Sequence, residues 1–221
     1  MAKLIAFAVA FHFVVFVGAD DPGGSPKAAC INGADQVQTL SGIKRVDHLQ
    51  IGDQVKVGQD SFEPVVSFLH RDETKNARGF RFTTCSGKTV TLSDEHLVFV
   101  APNRKAVLSK NVVAGQSLYV MKDGVYVEER VEKVEKSDLE GRYSPLTPSG
   151  VILVNGILVS CYSQIEDHHL MHRIVHWLLP ITFSESLFGA GGSLKNPDGM
   201  HWVGDVLWHH LRHWFIAGSS Q

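Results

Sequence analysis

An all-β domain with a short helical appendage is what this sequence predicts, and three observations carry that expectation. Between residues 30 and 165, apolar and β-branched residues alternate with polar ones at a period of two, the pattern of half-buried strands. Clusters of Gly, Asp, Asn and Ser interrupt these runs, as hairpin turns require. The run Leu49-Gln50-Ile51-Gly52-Asp53-Gln54-Val55-Lys56-Val57 also returns as Val112-Val113-Ala114-Gly115-Gln116-Ser117-Leu118-Tyr119-Val120, an offset of 115 − 52 = 63 residues. Pro64-Val65-Val66-Ser67-Phe68 and Arg130-Val131-Glu132-Lys133-Val134 fall near the same offset. Two copies of one unit predict a pseudo-twofold β-domain whose halves pack on each other.

The chain begins with a different kind of text. Lys3, an apolar stretch from position 4 to 17, and Val17-Gly18-Ala19 ahead of Asp20-Asp21 have the three-part form of a secretory signal over residues 1–19. The stretch is short of the roughly twenty residues that a membrane anchor needs. A secreted, extracellular protein that matures through the endoplasmic reticulum is therefore expected. Residues 20–29 (DDPGGSPKAA) carry no apolar side chain larger than alanine apart from proline, so they are expected to be an extended linker.

The β-rich text follows. Val55-Lys56-Val57 alternates and runs into Gly58-Gln59-Asp60-Ser61, a turn. Phe80, Phe82 and Thr84 alternate with Arg81, Thr83 and Cys85, and Ser86-Gly87 then reverses the chain into Thr89-Val90-Thr91-Leu92. After residue 165 the composition shifts again. Trp177, Trp202, Trp208 and Trp214, all four tryptophans, lie in residues 166–221 with eight of the twelve histidines. Helices are expected over 168–179 and 201–216. In the second, Val203, Val206, Leu207, Leu211, Trp214 and Phe215 recur at helical spacing and form one apolar face.

Composition excludes some functions. With 21 basic and 23 acidic residues the formal charge is −2, which gives no electrostatic footprint for nucleic acid. Three cysteines are too few for a disulfide-built scaffold, and the odd number leaves at least one thiol outside any pairing within a monomer. The sequence does not fix an oligomeric state.

Cys30 stands where the linker meets the first strand. It reads either as a small buried residue or as a nucleophile acting on its own upstream peptide bond. Ser93-Asp94-Glu95-His96 sits at the entrance of the strand Leu97-Val98-Phe99-Val100, where a hydroxyl and an imidazole can face one pocket. Cys161 ends the last core run, and Cys85 is placed at a hairpin end with no role. His168, His172 and His176 share a helical face at a spacing that can hold zinc, yet polar histidines are common on amphipathic helices. No metal and no cofactor is expected.

Six ordered stretches then match a family: Cys30 itself; Ile51-Gly52-Asp53; Ser67-Phe68-Leu69-His70-Arg71; Leu92-Ser93-Asp94-Glu95-His96-Leu97-Val98-Phe99-Val100; Gly141-Arg142-Tyr143-Ser144-Pro145-Leu146-Thr147; and Ser160-Cys161-Tyr162. In these, residues 30–165 resemble the autoprocessing (Hint, intein-like) domain of Hedgehog proteins. Residues 166–221, with Met200-His201-Trp202, resemble the lipid-recognition region that follows it. The resemblance implies that Cys30 attacks the Ala29 carbonyl to form a thioester, and that His96 protonates the departing nitrogen. Ser93 replaces the family's usual threonine and keeps the hydroxyl that holds the scissile group. Cys161 matches a cysteine near the nucleophile, which the resemblance pairs with Cys30 as a resting disulfide that blocks attack until reduced. The thioester then passes to a lipid alcohol, cholesterol in Hedgehog proteins, or to water.

Departures from the family pattern bear on the acceptor. Ala29 stands where Hedgehog proteins have glycine. His70 stands where cholesterol-transferring members carry the aspartate that activates the sterol hydroxyl, and nematode Hedgehog-related proteins share the histidine. Histidine ordinarily titrates near pH 6.5 and can act as a base near neutrality. Only a ten-residue segment, 20–29, is expected to be released. The partners implied are a sterol-like acceptor and a membrane surface met by the tryptophan-rich tail. Two alternatives stand beside self-processing: a non-catalytic extracellular or membrane-associated module, and a secreted cysteine protease acting in trans.

Overall fold

A computed structural model describes residues 30–74 and 76–163. The secretory signal, the linker and the tail helices expected from the sequence lie outside the described residues. Within them the chain is strand and turn, with two short 3₁₀ turns at Val46–His48 and Ser109–Asn111. The strands are β1 (Gln36–Thr39), β2 (Gly42–Arg45), β3 (Gln54–Lys56), β4 (Phe62–Pro64), β5 (Ser67–Asp72), β6 (Ala77–Thr84) and β7 (Thr89–Ser93). They continue as β8 (His96–Val100), β9 (Lys105–Leu108), β10 (Ser117–Lys122), β11 (Val125–Leu139), β12 (Arg142–Leu146), β13 (Val151–Val154) and β14 (Ile157–Ser163).

Local sequence accounts for the hairpins. Asp123-Gly124 joins β10 to β11 with φ of 49° and 81°, and Asn155-Gly156 joins β13 to β14 with 49° and 78°. Two successive positive φ values make the turn whose twist matches that of the flanking strands. Alternation then selects the buried face: Phe82 and Thr84 of β6 are buried while Arg81 is exposed. β8 and β13 are buried along their whole length and read as continuous apolar runs.

Twelve strands form one sheet in the order β4-β3-β1-β13-β14-β8-β10-β11-β6-β7, with β2 added on β1 and β9 on β8. β5 and β12 pair separately. Val37, Leu92, Leu97, Leu118, Ile152 and Leu158 contribute to one continuous core.

The duplicated motif occupies equivalent places. Gly52 and Gly115 have φ of 96° and 95°. Asp53 Oδ2 accepts from Gln50 N–H at 2.8 Å, and Gln116 Oε1 accepts from Val113 N–H at 2.9 Å. Gly52 and Gly115 donate to Val65 and Val131, whose own amides return to Asp53 and Gln116. Each copy follows a 3₁₀ turn and leads into a strand, β3 in one and β10 in the other. The halves do not close on themselves: β6 of the first pairs with β11 of the second, and β13 of the second pairs with β1 of the first.

One glycine shows how tightly the sheet is packed beside the site. A Cβ at Gly79 lies 2.0 Å from the Leu92 carbonyl oxygen and 2.8 Å from Leu139 Cδ1. Gly79→Ala is expected to destabilise the domain by about 3 kcal/mol, because backbone cannot yield as a flexible side chain does. Urea unfolding of the purified variant checks this.

Candidate active site

Residues 30–32 enter the domain between β7 and β12. Ser93 N–H donates to the Cys30 carbonyl at 2.9 Å and Asn32 N–H to the Thr91 carbonyl at 3.1 Å, on either side of an Ile31–Leu92 bridge. Ile31 N–H donates the other way, to the Tyr143 carbonyl at 2.8 Å. Bonds to both neighbours leave residues 30–32 little conformational freedom.

The Cys30 amide, the nitrogen of the Ala29–Cys30 bond, donates to Ser93 Oγ at 2.6 Å. A hydroxyl can accept this N–H in the intact peptide and can donate to the same nitrogen once it becomes an amine. The Cys30 side chain is buried against Leu139 and Ala77. Burial pushes its thiol well above the usual range; Arg142 pulls it back and Asp72 adds to the rise. Arg142 and Asp72 are opposite one another on β12 and β5, and Arg142 Nη2 holds the Asn76 carbonyl at 3.1 Å, next to Ala77.

His96 opens β8 immediately after the turn that follows Ser93. It is fully buried, and its Nε2 is 2.9 Å from the Ser160 carbonyl. A carbonyl only accepts, so Nε2 carries a proton and Nδ1 is the nitrogen left to take up or release another. Cys161, the next residue on β14, is buried beside Thr147, with Thr147 Oγ1 and Cys161 Sγ 3.6 Å apart. Thr147 Oγ1 also donates to the Val151 carbonyl at 2.8 Å. Burial pushes the Cys161 thiol up to about 12, against the pull of the Thr147 hydrogen bonds. Cys30 and Cys161 are both thiols here. His70 is buried on β5 opposite Ser144 of β12, one residue from the Tyr143 carbonyl that holds Ile31. Cys85 is exposed at the β6–β7 hairpin.

A family description, Hint module, matches residues 22–216. The chain belongs to the Hint module family. It is 34% identical over 151 residues to Warthog protein 6 of Caenorhabditis elegans, covering 64% of this chain and 26% of that protein. To Tiggy-winkle hedgehog protein of Danio rerio it is 27% identical over 232 residues, covering 95% of this chain and 54% of the relative. The chain thus spans about a quarter of one relative's length and about half of the other's. Among solved structures, the gp41-1 intein aligns with a TM-score of 0.52 at 21% identity over 60% of this chain and 98% of that one. A DnaB intein from Synechocystis aligns at 0.53 and 11% over 62% and 100%. These likenesses agree with the strand order in giving the Hint fold.

In this Hint domain the structure puts Ser93 on the Cys30 nitrogen, His96 at the entrance of the next strand, and Cys161 beside the residue that fixes His96. His70 lies on β5, opposite Ser144 of β12. Sequence reasoning assigned nothing to Arg142, Asp72, Ser109 or the Ser160 carbonyl. Arg142 and Ser160 lie inside stretches already singled out, but a guanidinium acting through space and a backbone carbonyl leave no pattern of their own.

Proposed function

We propose that this chain cleaves its own Ala29–Cys30 bond and passes the upstream segment to a lipid alcohol of sterol type, or to water, in the secretory pathway. The observation that carries the reading is the Cys30 N–H held on the Ser93 hydroxyl at 2.6 Å. That contact is made to the one nitrogen that must leave.

Cys30 Sγ adds to the Ala29 carbonyl carbon and gives up its proton to Nδ1 of His96. The C–N bond breaks as that nitrogen passes the proton on to the departing amide nitrogen, leaving a thioester on sulfur and an α-amine on residue 30. An amide is a poor acyl donor until its nitrogen is protonated, which is why a buried imidazole belongs here. In the second step the acceptor's oxygen attacks the thioester carbonyl and its proton passes to a base, the role this reading gives to His70. The Cys30 thiol is regenerated, and the upstream segment leaves as an ester or, with water, as an acid. A Cys30–Cys161 disulfide would hold the precursor idle until reduced.

Intact mass spectrometry of residues 20–221 carrying an N-terminal tag tests the reading, with dithiothreitol and with or without sterols. The expected result is loss of the tag at Ala29–Cys30, plus a sterol-sized increment on the released piece when the acceptor is present. A folded protein that stays intact with thiol overturns the proposal. The two steps also separate by mutation. His70→Ala is expected to keep dithiothreitol cleavage within about twofold while lowering transfer to an alcohol by about 10²-fold or more, the scale of a general base. Equal loss in both assays would place His70 in the first step.

A further inference from the structure

The segment 30–32 and β7 make a short antiparallel ladder, and both of its ends depart from the pattern that such a ladder imposes. Residues directly opposite each other in a hydrogen-bonded pair exchange both N–H···O bonds. At one end, Asn32 and Thr91 make only one of the two. Asn32 N–H reaches the Thr91 carbonyl, but the Asn32 carbonyl is turned back to accept from Asp35 N–H at 3.2 Å. Thr91 N–H goes instead to Asp35 Oδ2 at 2.8 Å. A carboxylate thus takes the place of a backbone carbonyl.

The other end has the mirror-image exception. Ser93 N–H reaches the Cys30 carbonyl, yet Cys30 N–H meets Ser93 Oγ rather than the Ser93 carbonyl. That carbonyl accepts from the Ser109 hydroxyl, and the following carbonyl, of Asp94, accepts from Lys110 N–H at 3.0 Å. Ser109 is fully buried. The 3₁₀ turn at Ser109–Asn111 therefore draws two successive carbonyls of the β7 end towards itself.

We propose that Asp35 and Ser109 are the positioning residues of the cleavage step: Asp35 fixes the register of residues 30–32 on β7, and Ser109 holds the Ser93 carbonyl so that the scissile N–H meets the Ser93 hydroxyl. The inference rests on the self-cleavage reading and deepens it. A carbonyl partner would bind the N–H of the intact peptide and offer no proton to the amine that forms. A hydroxyl partner serves both states, so selecting it lowers the barrier between them. Asp35 is itself held by its neighbours: its other oxygen accepts from Asn32 Nδ2 at 3.4 Å, and Asn32 Oδ1 accepts from Glu140 N–H at 2.8 Å. Burial raises the Asp35 carboxyl, while Thr91, Asn32, Asn155 and Arg81 pull it back.

The test is a set of double-mutant cycles on thiol-driven cleavage of residues 20–221, with Ser93→Ala as the common partner. Ser109→Ala and Asp35→Ala are each expected to slow cleavage about tenfold in the parent chain and less than about twofold once Ser93 is alanine. Residues that act through one group lose their effect when that group is gone. Ser109→Thr, which keeps a hydroxyl, and Asp35→Asn, which keeps an acceptor oxygen, are expected to restore much of the rate and remain informative if an alanine variant does not fold. A second readout does not depend on turnover: the amide of position 30 in the Cys30→Ala chain, followed by ¹H–¹⁵N NMR. Its resonance is expected to move on Ser93→Ala and on Ser109→Ala. Equal slowing with and without Ser93, or an amide that ignores Ser109, overturns the positioning role. A parent chain that does not cleave, in which that amide still responds to Ser109, removes the proposed function and leaves the register lock standing.

Discussion

Cys30→Ala is expected to stop cleavage outright, a loss of about 10⁴-fold or more, since removing a nucleophile removes the covalent route itself. The substitution is expected to leave a folded protein for comparison. The side chain packs against Leu139 and partly buried Ala77 in a small apolar cluster, and trading one sulfur for nothing there costs about 1 kcal/mol. Intact mass after incubation with dithiothreitol checks the first statement and thermal unfolding the second. In the parent chain the same buried thiol sets a pH dependence. Burial drives its pKa well above the usual range, so the reactive thiolate is a minor form at neutrality and increases about tenfold per pH unit. The cleavage rate is therefore expected to climb as pH is raised from the acid side.

The second large effect concerns His96. His96→Ala is expected to slow thiol-driven cleavage by about 10²- to 10⁴-fold, the range for a positioned acid. The substitution also strips the Ser160 carbonyl of the donor at 2.9 Å, so stability has to be separated from chemistry. His96→Gln does this: its amide N–H can still serve the Ser160 carbonyl, but it has no proton to deliver to a leaving amine. The expected outcome is a Gln variant that folds like the parent and cleaves as slowly as the Ala variant. A Gln variant with parental rates would make His96 a strut for β14 and leave the acid to be found elsewhere.

Much of the fold is legible in the amino-acid sequence, and the reason is local. Positive-φ glycines and period-two runs are short-range signals, and the duplicated Gly52 and Gly115 turns, with φ of 96° and 95°, carry the same side-chain bond in both copies. The pairing of β6 with β11 and of β1 with β13 is not legible there, since nothing within a strand says which distant strand it meets. The site divides in the same way. Cys30, Ser93 and His96 stand out because a thiol, a hydroxyl and an imidazole are reactive groups carried by the side chains themselves. Their supports do not: Ser93 meets Cys30 across 63 positions and the Ser160 carbonyl meets His96 across 64, and a peptide oxygen looks the same in every residue. Ser109 and Asp35 lie outside the stretches that resemble the family, in text with no period or motif to mark them.

The interleaving of the two halves has a consequence for when the reaction can begin during synthesis. Cys30 is near the start of the domain, but what surrounds it is made late. Leu139 closes over the sulfur, Tyr143 pins the neighbouring amide, and Ser160 sets the tautomer of the imidazole. A nascent chain that has emerged only as far as β8 holds Cys30, Ser93 and His96 with none of these supports. On the proposed reaction, cleavage before Cys30 waits for the arrival of β14, so chain connectivity itself guards whatever lies upstream until the domain is complete.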